Sequence, residues 1–383
     1  MWNFVLCGGR PKGFALWKPT TFEKVDETSL FVFNKIYERI KRMKKILIGM
    51  SGGVDSSAAA VLLLQQGYDV SGCTLKLFDG TDASVNDARE VCDKLGIEHH
   101  VIDIAPDFKR EVMDKFADSY INGETPNPCV FCNRTIKFGK MLDYALENGF
   151  DGIATGHYAR ITQRDGRHLL ACAEDLRKDQ TYFLYTLNQH HLSHSIFPLW
   201  NMEKPQIRAI AEEHGLITAR KRDSQDICFI PDGDYVSFIL SHTGKTFPEG
   251  NFIGTDGTIL GTHSGIIRYT IGQRRGLGVT FGKPIYVCAK NAAENTVTLS
   301  DTEYTATEIY LSDVNYISVE KLDKPMQVTA KVRYSAKPQA ATVYPEEKGL
   351  TKIVFAEPVR NPTSGQACVF YDGDIVVGGG KIL

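Results

Sequence analysis

Three observations predict the fold class of this 383-residue chain. Strands alternate with helices over residues 44–222, glycine-punctuated short strands replace them after about residue 222, and from about 306 strands follow one another between Pro, Gly and Asp turns. The prediction is an α/β protein with a doubly wound parallel-sheet domain over 44–222, a small β-rich central domain over 223–305 and an antiparallel β-barrel over 306–383.

Each element has a local reason. "KKILIGM" (44–50) is a short apolar run ending in glycine, and "VDSSAAAVLLLQQG" (54–67) reads as a buried helix closed by Gly67. "DVSGCTLKLF" (69–78) is a second strand, "ASVNDAREVCDKLG" (83–96) a second helix and "HHVIDI" (99–104) a third strand. "FKREVMDKFADSY" (108–120) is helical. So is 134–149, where Phe138, Met141, Leu142, Ala145 and Leu146 make one stripe before Gly149; "GIATGH" (152–157) is the next buried strand. "YFLYTL" (182–187) reads as a helix that Asp179 would cap. The central stretch shows no long helical pattern, and "MQVTAKVRY", "QAATVYP", "TKIVFAEP", "GQACVFYDG" and "DIVVGGGKI" are the barrel strands. Residues 1–43 carry no periodicity, and Glu23, Asp26 and Glu27 fit neither a signal peptide nor an acid-poor transit peptide. Translation is expected to begin at Met43, where the first strand opens.

A hydrophobic fraction of 43% with 23% charged residues is that of a globular chain, and no apolar run approaches the ~20 residues of a membrane helix, so no membrane partner is expected. The net charge of −2 excludes a polybasic coat, yet Lys204 with Arg208, "ARKR" (219–222) and "GQRRG" (272–276) allow a local basic face. Nine irregularly spaced cysteines without a secretory signal argue against a disulfide framework and for a reducing, cytoplasmic location.

"GMSGGVDSS" (49–57) joins the first strand to the first helix, where amide groups and the helix dipole point at an anion. Gly52 and Gly53 allow close approach, and neither a Walker A nor a GxGxxG pattern is present. Ser51, Gly52, Gly53, Asp55 and Ser56 spell S-G-G-x-D-S, which resembles the pyrophosphate loop of the ATP pyrophosphatases; Asp55 would steer Mg2+, or is simply an acid in a first helical turn.

"TPNPCVFCNR" (125–134) sets two cysteines after two prolines that stiffen the approach. Cys132 precedes a helix expected to begin near Asn133, a position that lowers thiol pKa values, which makes it a candidate nucleophile. No second pair supplies zinc ligands. Cys228, in "DSQDICFI" (223–230), stands at a polar-to-apolar edge and, taken alone, reads first as core, since free cysteines are among the most buried residues.

Taken in order, "GMSGGVDSS", "TPNPCVFCN", "ATGHYAR", "KDQTYFL", "DSQDICFI", "YTIGQRRGLGV", "KVRYS" and "GQACVFYDG" resemble the tRNA-uridine 2-sulfurtransferases, or tRNA-specific 2-thiouridylases, over nearly everything after residue 43. The resemblance implies an adenine nucleotide α-hydrolase-like fold and an enzyme that adenylates the C2 oxygen of the wobble uridine with ATP. Sulfur from a persulfide then replaces that oxygen, and AMP and pyrophosphate leave. It implies that Gly49, Met50, Ser51, Gly52, Gly53, Val54, Asp55 and Ser56 hold phosphates, that Leu75 touches adenine and that Gly156 closes the pocket. Cys132 matches the family's nucleophile and Cys228 its persulfide carrier, the two ending in a disulfide. Asn127, Pro128 and Cys129 would lie beside the target base, with His157, Lys178, Asp179, Gln180, Arg333, Tyr334 and Gln366 as further tRNA contacts. Each has a plainer reading too, for example an ordinary strand pair for Arg333 and Tyr334. The implied partners are tRNAs of the Lys, Glu and Gln types and a persulfide donor, either a relay protein or a cysteine desulfurase.

One residue departs from the family: Cys129 stands where aspartate is usual. An acid/base role there is in question, and Cys129, Cys132 and Cys228 together are the ligand set of an iron–sulfur cluster with one open iron position. Competing readings are another pyrophosphate-loop adenylating ligase, which needs no paired cysteines, and a tRNA-binding protein without turnover.

Overall fold

The computed structural model describes residues 44–221, 226–279 and 282–383. The expected start at Met43 and the expected 222/223 boundary lie outside the described residues.

Strands β1 (Lys45–Gly49), β2 (Asp69–Lys76), β3 (His99–Asp103) and β4 (Gly152–Ala154) are parallel; after a hairpin of β5 (Arg160–Arg164) and β6 (Arg167–Ala171), the short β7 (Ser195–Ile196) completes a sheet ordered β3-β2-β1-β4-β7. Ile46, Leu47 and Ile48 are all buried because both faces are covered. Helices Val54–Gln65, Asp82–Leu95 and Lys204–Glu213 pack on one face and Met141–Glu147 on the other. The sheet grows from β1 toward β2 and β3, then toward β4 and β7. The crevice at such a reversal, beyond the carboxyl ends of β1 and β4, is where α/β sheets bind ligands.

Two helical expectations change. The helix expected over 134–149 starts earlier: the Asn127 side chain accepts from the Cys129 amide at 3.1 Å and Pro128 takes the first position. Helix Pro128–Cys132 then runs through π-helical Asn133–Lys140 into Met141–Glu147. Cys132 therefore sits inside a helix, and Cys129 holds the amino-terminal turn. In contrast, "YFLYTL" forms one 3-10 turn, Thr181–Phe183, because Tyr182, Leu184, Tyr185 and Leu187 are all buried rather than lying on one stripe. Asp179 accepts from the Ala173 amide and the Thr181 hydroxyl instead of capping a helix.

The central region holds a nine-residue helix, Tyr235–Thr243, besides β8 (Gly250–Gly254), β9 (Ile259–His263), β10 (Tyr286–Asn291) and β11 (Thr296–Ser300), ordered β10-β11-β8-β9. Its Phe252, Val287 and Leu299 share a core with Phe108 and Phe116 of the first domain. Beyond it, β12 (Thr305–Tyr316), β13 (Met326–Lys331), β14 (Gln339–Pro345), β15 (Thr351–Arg360), β16 (Ala367–Asp372) and β17 (Ile375–Ile382) form a sheet ordered β12-β15-β14-β13-β16-β17, which β12–β17 pairing closes into a barrel.

The first domain and the barrel are joined through the β5–β6 hairpin. Ile375 of β17 pairs with Ala171, Arg160 ion-pairs with Asp374, and the Arg167 guanidinium donates to the carbonyls of Ile317 at 2.7 Å and Val319 at 2.8 Å. The signal for this hairpin stood in the sequence as Asp165–Gly166, a two-residue turn whose φ values of 51° and 76° are both positive.

Candidate active site

The loop after β1 is built almost wholly from backbone. Gly52 has φ +68°, and a Cβ there would meet the Ser84 carbonyl oxygen at 2.8 Å, so only glycine fits. The Ser56 hydroxyl donates to the Gly53 carbonyl at 3.1 Å and accepts from the Ser51 amide at 3.2 Å, which shapes the turn. Met50 and Val54 are buried anchors beneath it. Helix Val54–Gln65 follows directly with no side-chain cap at Gly53, and the free amides of such a first turn suit phosphate oxygens.

Two lysines that the sequence reading assigned only to a basic face hold this loop. The Lys204 ammonium lies 2.7 and 2.9 Å from the two Asp55 oxygens, and the Lys221 ammonium donates to the Gly52 carbonyl at 2.9 Å and pairs with Asp87 at 2.6 Å. The Tyr158 hydroxyl donates to Asp55 at 2.7 Å.

The carboxyl end of β4 forms the opposite wall. A Cβ on Gly156 would stand 3.0 Å from the Asp55 carbonyl carbon and the Ser56 amide, so this glycine lies against the loop helix. Next in the chain, His157 is buried, hydrogen-bonded through Nδ1 to Thr155 Oγ1 at 2.7 Å, and packed near the Phe138 and Phe197 rings. Burial, then the nearby Lys137 charge, pushes its pKa well down, so the ring is neutral.

Phe138 belongs to the continuous helical segment that carries Cys129 and Cys132. Cys228 arrives from another direction: Phe229 packs edge-on against Phe108 and Phe116, with ring centroids 5.7 and 5.6 Å apart. The three thiols influence one another electrostatically and all feel Lys137. Burial pushes the Cys132 thiol up to about 12. It raises Cys129 and Cys228 as well, although both remain open to solvent. The expectation of a thiol acidified by a helix end is thus overturned for Cys132, because helix interior and apolar surroundings favour the neutral form. Lys137, half-buried and missed by sequence reasoning, opposes that rise at all three sulfurs. In an α-helix residues five apart diverge by about 140°; the π-helical winding over Asn133–Lys140 swings Lys137 back toward the side of Cys132.

All eight cysteines among the described residues are free. Among those residues no group of three or more His, Cys, Asp or Glu is placed to hold a metal ion.

The remaining expected residues divide. Leu75 is half-buried near the end of β2. Arg333 and Tyr334 are exposed after β13, with the Tyr334 ring 4.5 Å from that of Phe183, whose carbonyl accepts from Asn133 beside Cys132. Lys178 is half-buried, while Asp179 is buried with its oxygens engaged internally, and burial raises its pKa. Gln180 accepts from the Tyr158 amide at 2.9 Å. Gln366 donates to the Thr125 carbonyl at 2.9 Å, the Thr125 amide donates to the Ser364 carbonyl, and Lys381 pairs with Glu124. The barrel therefore braces the segment leading into Pro126, Asn127 and Pro128.

Three family models match in sequence along the chain: a "tRNA methyl transferase HUP domain" over 44–232, a "tRNA methyl transferase PRC-barrel domain" over 236–301 and an "Aminomethyltransferase beta-barrel domain" over 306–382. The tRNA-specific 2-thiouridylase MnmA of Acetivibrio thermocellus is 50% identical over 355 residues, covering 88% of this chain and 99% of that protein. Those of Clostridioides difficile and Clostridium beijerinckii are each 48% identical, with 88% of this chain and 98% of theirs covered. At that identity and coverage the chain belongs to the tRNA-specific 2-thiouridylase family.

Proposed function

We propose that this protein is a cytoplasmic sulfurtransferase that converts the wobble uridine of tRNA to 2-thiouridine at the expense of ATP. The observation that carries this reading is the 50% identity to a tRNA-specific 2-thiouridylase over 88% of the chain, and it is supported by Cys129, Cys132 and Cys228 lying within electrostatic reach of one another and of Lys137. A ligase that only adenylates has no use for such thiols.

In the proposed sequence, Gly49–Ser56 hold the ATP phosphates, Leu75 and Gly156 bound the nucleotide, and the uridine C2 oxygen attacks the α-phosphorus to release pyrophosphate. A donor protein has left a persulfide on Cys228. Its outer sulfur attacks C2 and expels AMP, giving a Cys228–S–S–C2 linkage. Cys132 then attacks the Cys228 sulfur as it loses its thiol proton; 2-thiouridine leaves with the electron pair and takes up that proton, and the resulting Cys132–Cys228 disulfide is reset by a dithiol reductant that supplies two electrons. Mg2+ would accompany ATP, with Asp55 the side chain suited to it.

On the RNA side, Asn127, Pro128 and Cys129 flank the everted base, His157 lines its pocket as a neutral ring, and Lys178, Arg333 and Tyr334 take phosphate and stacking contacts. Asp179, Gln180 and Gln366 contribute by holding the backbone that presents these groups. Exposed Arg274 and Arg275 extend the basic surface, so affinity falls steeply with salt. The tRNAs are those of the Lys, Glu and Gln types.

Nucleoside mass spectrometry of tRNA from cells lacking the protein tests this. Loss of 2-thiouridine is expected; its retention, or loss of a methylated nucleoside instead, overturns the proposal.

A further inference from the structure

Both β-rich domains grip residues 120–125, and this segment leads straight into the cysteine pair. Helix Lys115–Ile121 ends there, and Gly123, at φ +80°, turns the chain toward Pro126. On the barrel side Lys381 pairs with Glu124 at 3.0 Å, and a Cβ on Gly365 would meet the Glu124 Cβ at 2.8 Å, so the barrel backbone lies flat against Glu124. On the central side stands Lys290, in β10. A Cβ on Gly123 would come 3.9 Å from the Lys290 Cβ. The Lys290 ammonium donates to the Tyr269 carbonyl at 2.8 Å, lies 5.9 Å from the centre of the Tyr120 ring and faces Glu124. Tyr120 stacks in turn on Tyr235, with ring centroids 4.6 Å apart. Glu124 is thus approached by a lysine from each neighbouring domain. Packing alone does not call for an ammonium here, since an apolar side chain would cover Tyr120 without the desolvation that a half-buried charge costs. What the charge adds is attraction to Glu124.

We propose that Lys290 is a positioning residue for sulfur transfer: its ammonium holds Glu124 from one side while Lys381 holds it from the other, and this fixes how Asn127 to Cys132 present their thiols. The inference rests on the sulfur-transfer reading above. Lys290 acts through the backbone, because Lys137 and not Lys290 is the lysine whose charge reaches the sulfurs. Burial lowers the Lys290 pKa to about 8, and Glu124 opposes that fall. The grip is therefore strongest below that pH and is lost as pH rises through it. The other titratable groups facing the pair are Lys381, Tyr120 and Tyr235, and burial raises the pKa of both tyrosines.

Single-turnover 2-thiouridine formation from neutral to alkaline pH tests this on the wild type, Lys290→Met, Lys290→Arg and Glu124→Gln. Alkylation of Cys129 and calorimetric ATP binding are read beside it, with thermal melts as the control for folding. Lys290→Met is expected to lower the rate about tenfold at neutral pH and to quicken Cys129 alkylation several-fold, with ATP affinity unchanged. Lys290→Arg is expected to restore the rate. Because arginine keeps its proton, the ratio of the wild-type rate to the Lys290→Arg rate should fall several-fold as pH rises through about 8. Glu124→Gln is expected to cost at least as much as Lys290→Met, and adding Lys290→Met to it to cost nothing further, as within one shared interaction. If Lys290→Met lowers only the melting temperature, or if its loss adds in full to that of Glu124→Gln, Lys290 is merely structural and the proposal falls. A rate ratio that does not change with pH overturns it too. If the wild type forms no 2-thiouridine, the sulfur-transfer reading falls, and unchanged Cys129 alkylation in Lys290→Met would overturn the grip as well.

Discussion

The phosphate-type loop and the three thiols are built by opposite means. Residues Gly49–Ser56 are contiguous; their backbone does the work, and a single glycine with φ +68° secures the shape. The thiols come from Cys129, Cys132 and Cys228, almost a hundred residues apart, and are set by a π-helical stretch, an aromatic core and a barrel that braces Thr125 from behind. A contiguous anion site tolerates changes elsewhere in the molecule. A composite site inherits the errors of every element that carries it.

Breaking each of the two separately gives the largest contrast. Cys228→Ser is expected to bring 2-thiouridine formation down to background, a loss of at least about a thousandfold, while ATP affinity stays unchanged; nucleoside analysis beside calorimetry reads both. Next, Gly52→Ala should do the reverse. A Cβ 2.8 Å from the Ser84 carbonyl oxygen and a positive φ cost roughly 1–3 kcal/mol and weaken ATP binding, yet leave alkylation of Cys228 at its wild-type rate.

Smaller effects sharpen the account of the thiols. Lys137→Met should move the pH midpoint of Cys228 and Cys129 alkylation upward and slow the reaction several-fold at neutral pH, with Lys137→Arg close to wild type, since the lysine opposes the rise that burial imposes on them. Cys132 makes a related prediction about stability. Its folded-state pKa, raised from 9.0 to about 12, lies above the unfolded value, so its contribution is complete below pH 9 and lost as pH rises toward 12. The melting temperature of Cys132→Ser should accordingly fall less than that of the wild type over this range. Smallest of all, Gln366→Ala removes one hydrogen bond to Thr125, costs about 1 kcal/mol, and should quicken alkylation of Cys129 without altering ATP affinity.

Legibility in the sequence followed the same division. The alternation of strand and helix, the S-G-G-x-D-S turn and the late barrel strands each declare themselves within ten or so residues, since periodicity and glycine chemistry are local. The β5–β6 hairpin carried a readable Asp–Gly turn but was passed over, and β12, at 12 residues, hid because its buried positions do not alternate regularly. Cys132 was misjudged: Asn127 and Pro128 start the helix five residues sooner than the apolar stripe suggests. Lys137 gave no signal of its own and Lys204 only that of a basic face, because a lysine's partner cannot be read from its neighbours in sequence.

By itself the sequence determined the layer architecture and the glycine turn after the first strand, for these depend on backbone geometry and residue type within short windows. Only the tertiary structure decided which thiol is buried, which lysine faces which charge, and that a barrel strand supports the cysteine segment. Electrostatics and desolvation depend on distances through space, and those are set by the packing of elements far apart along the chain.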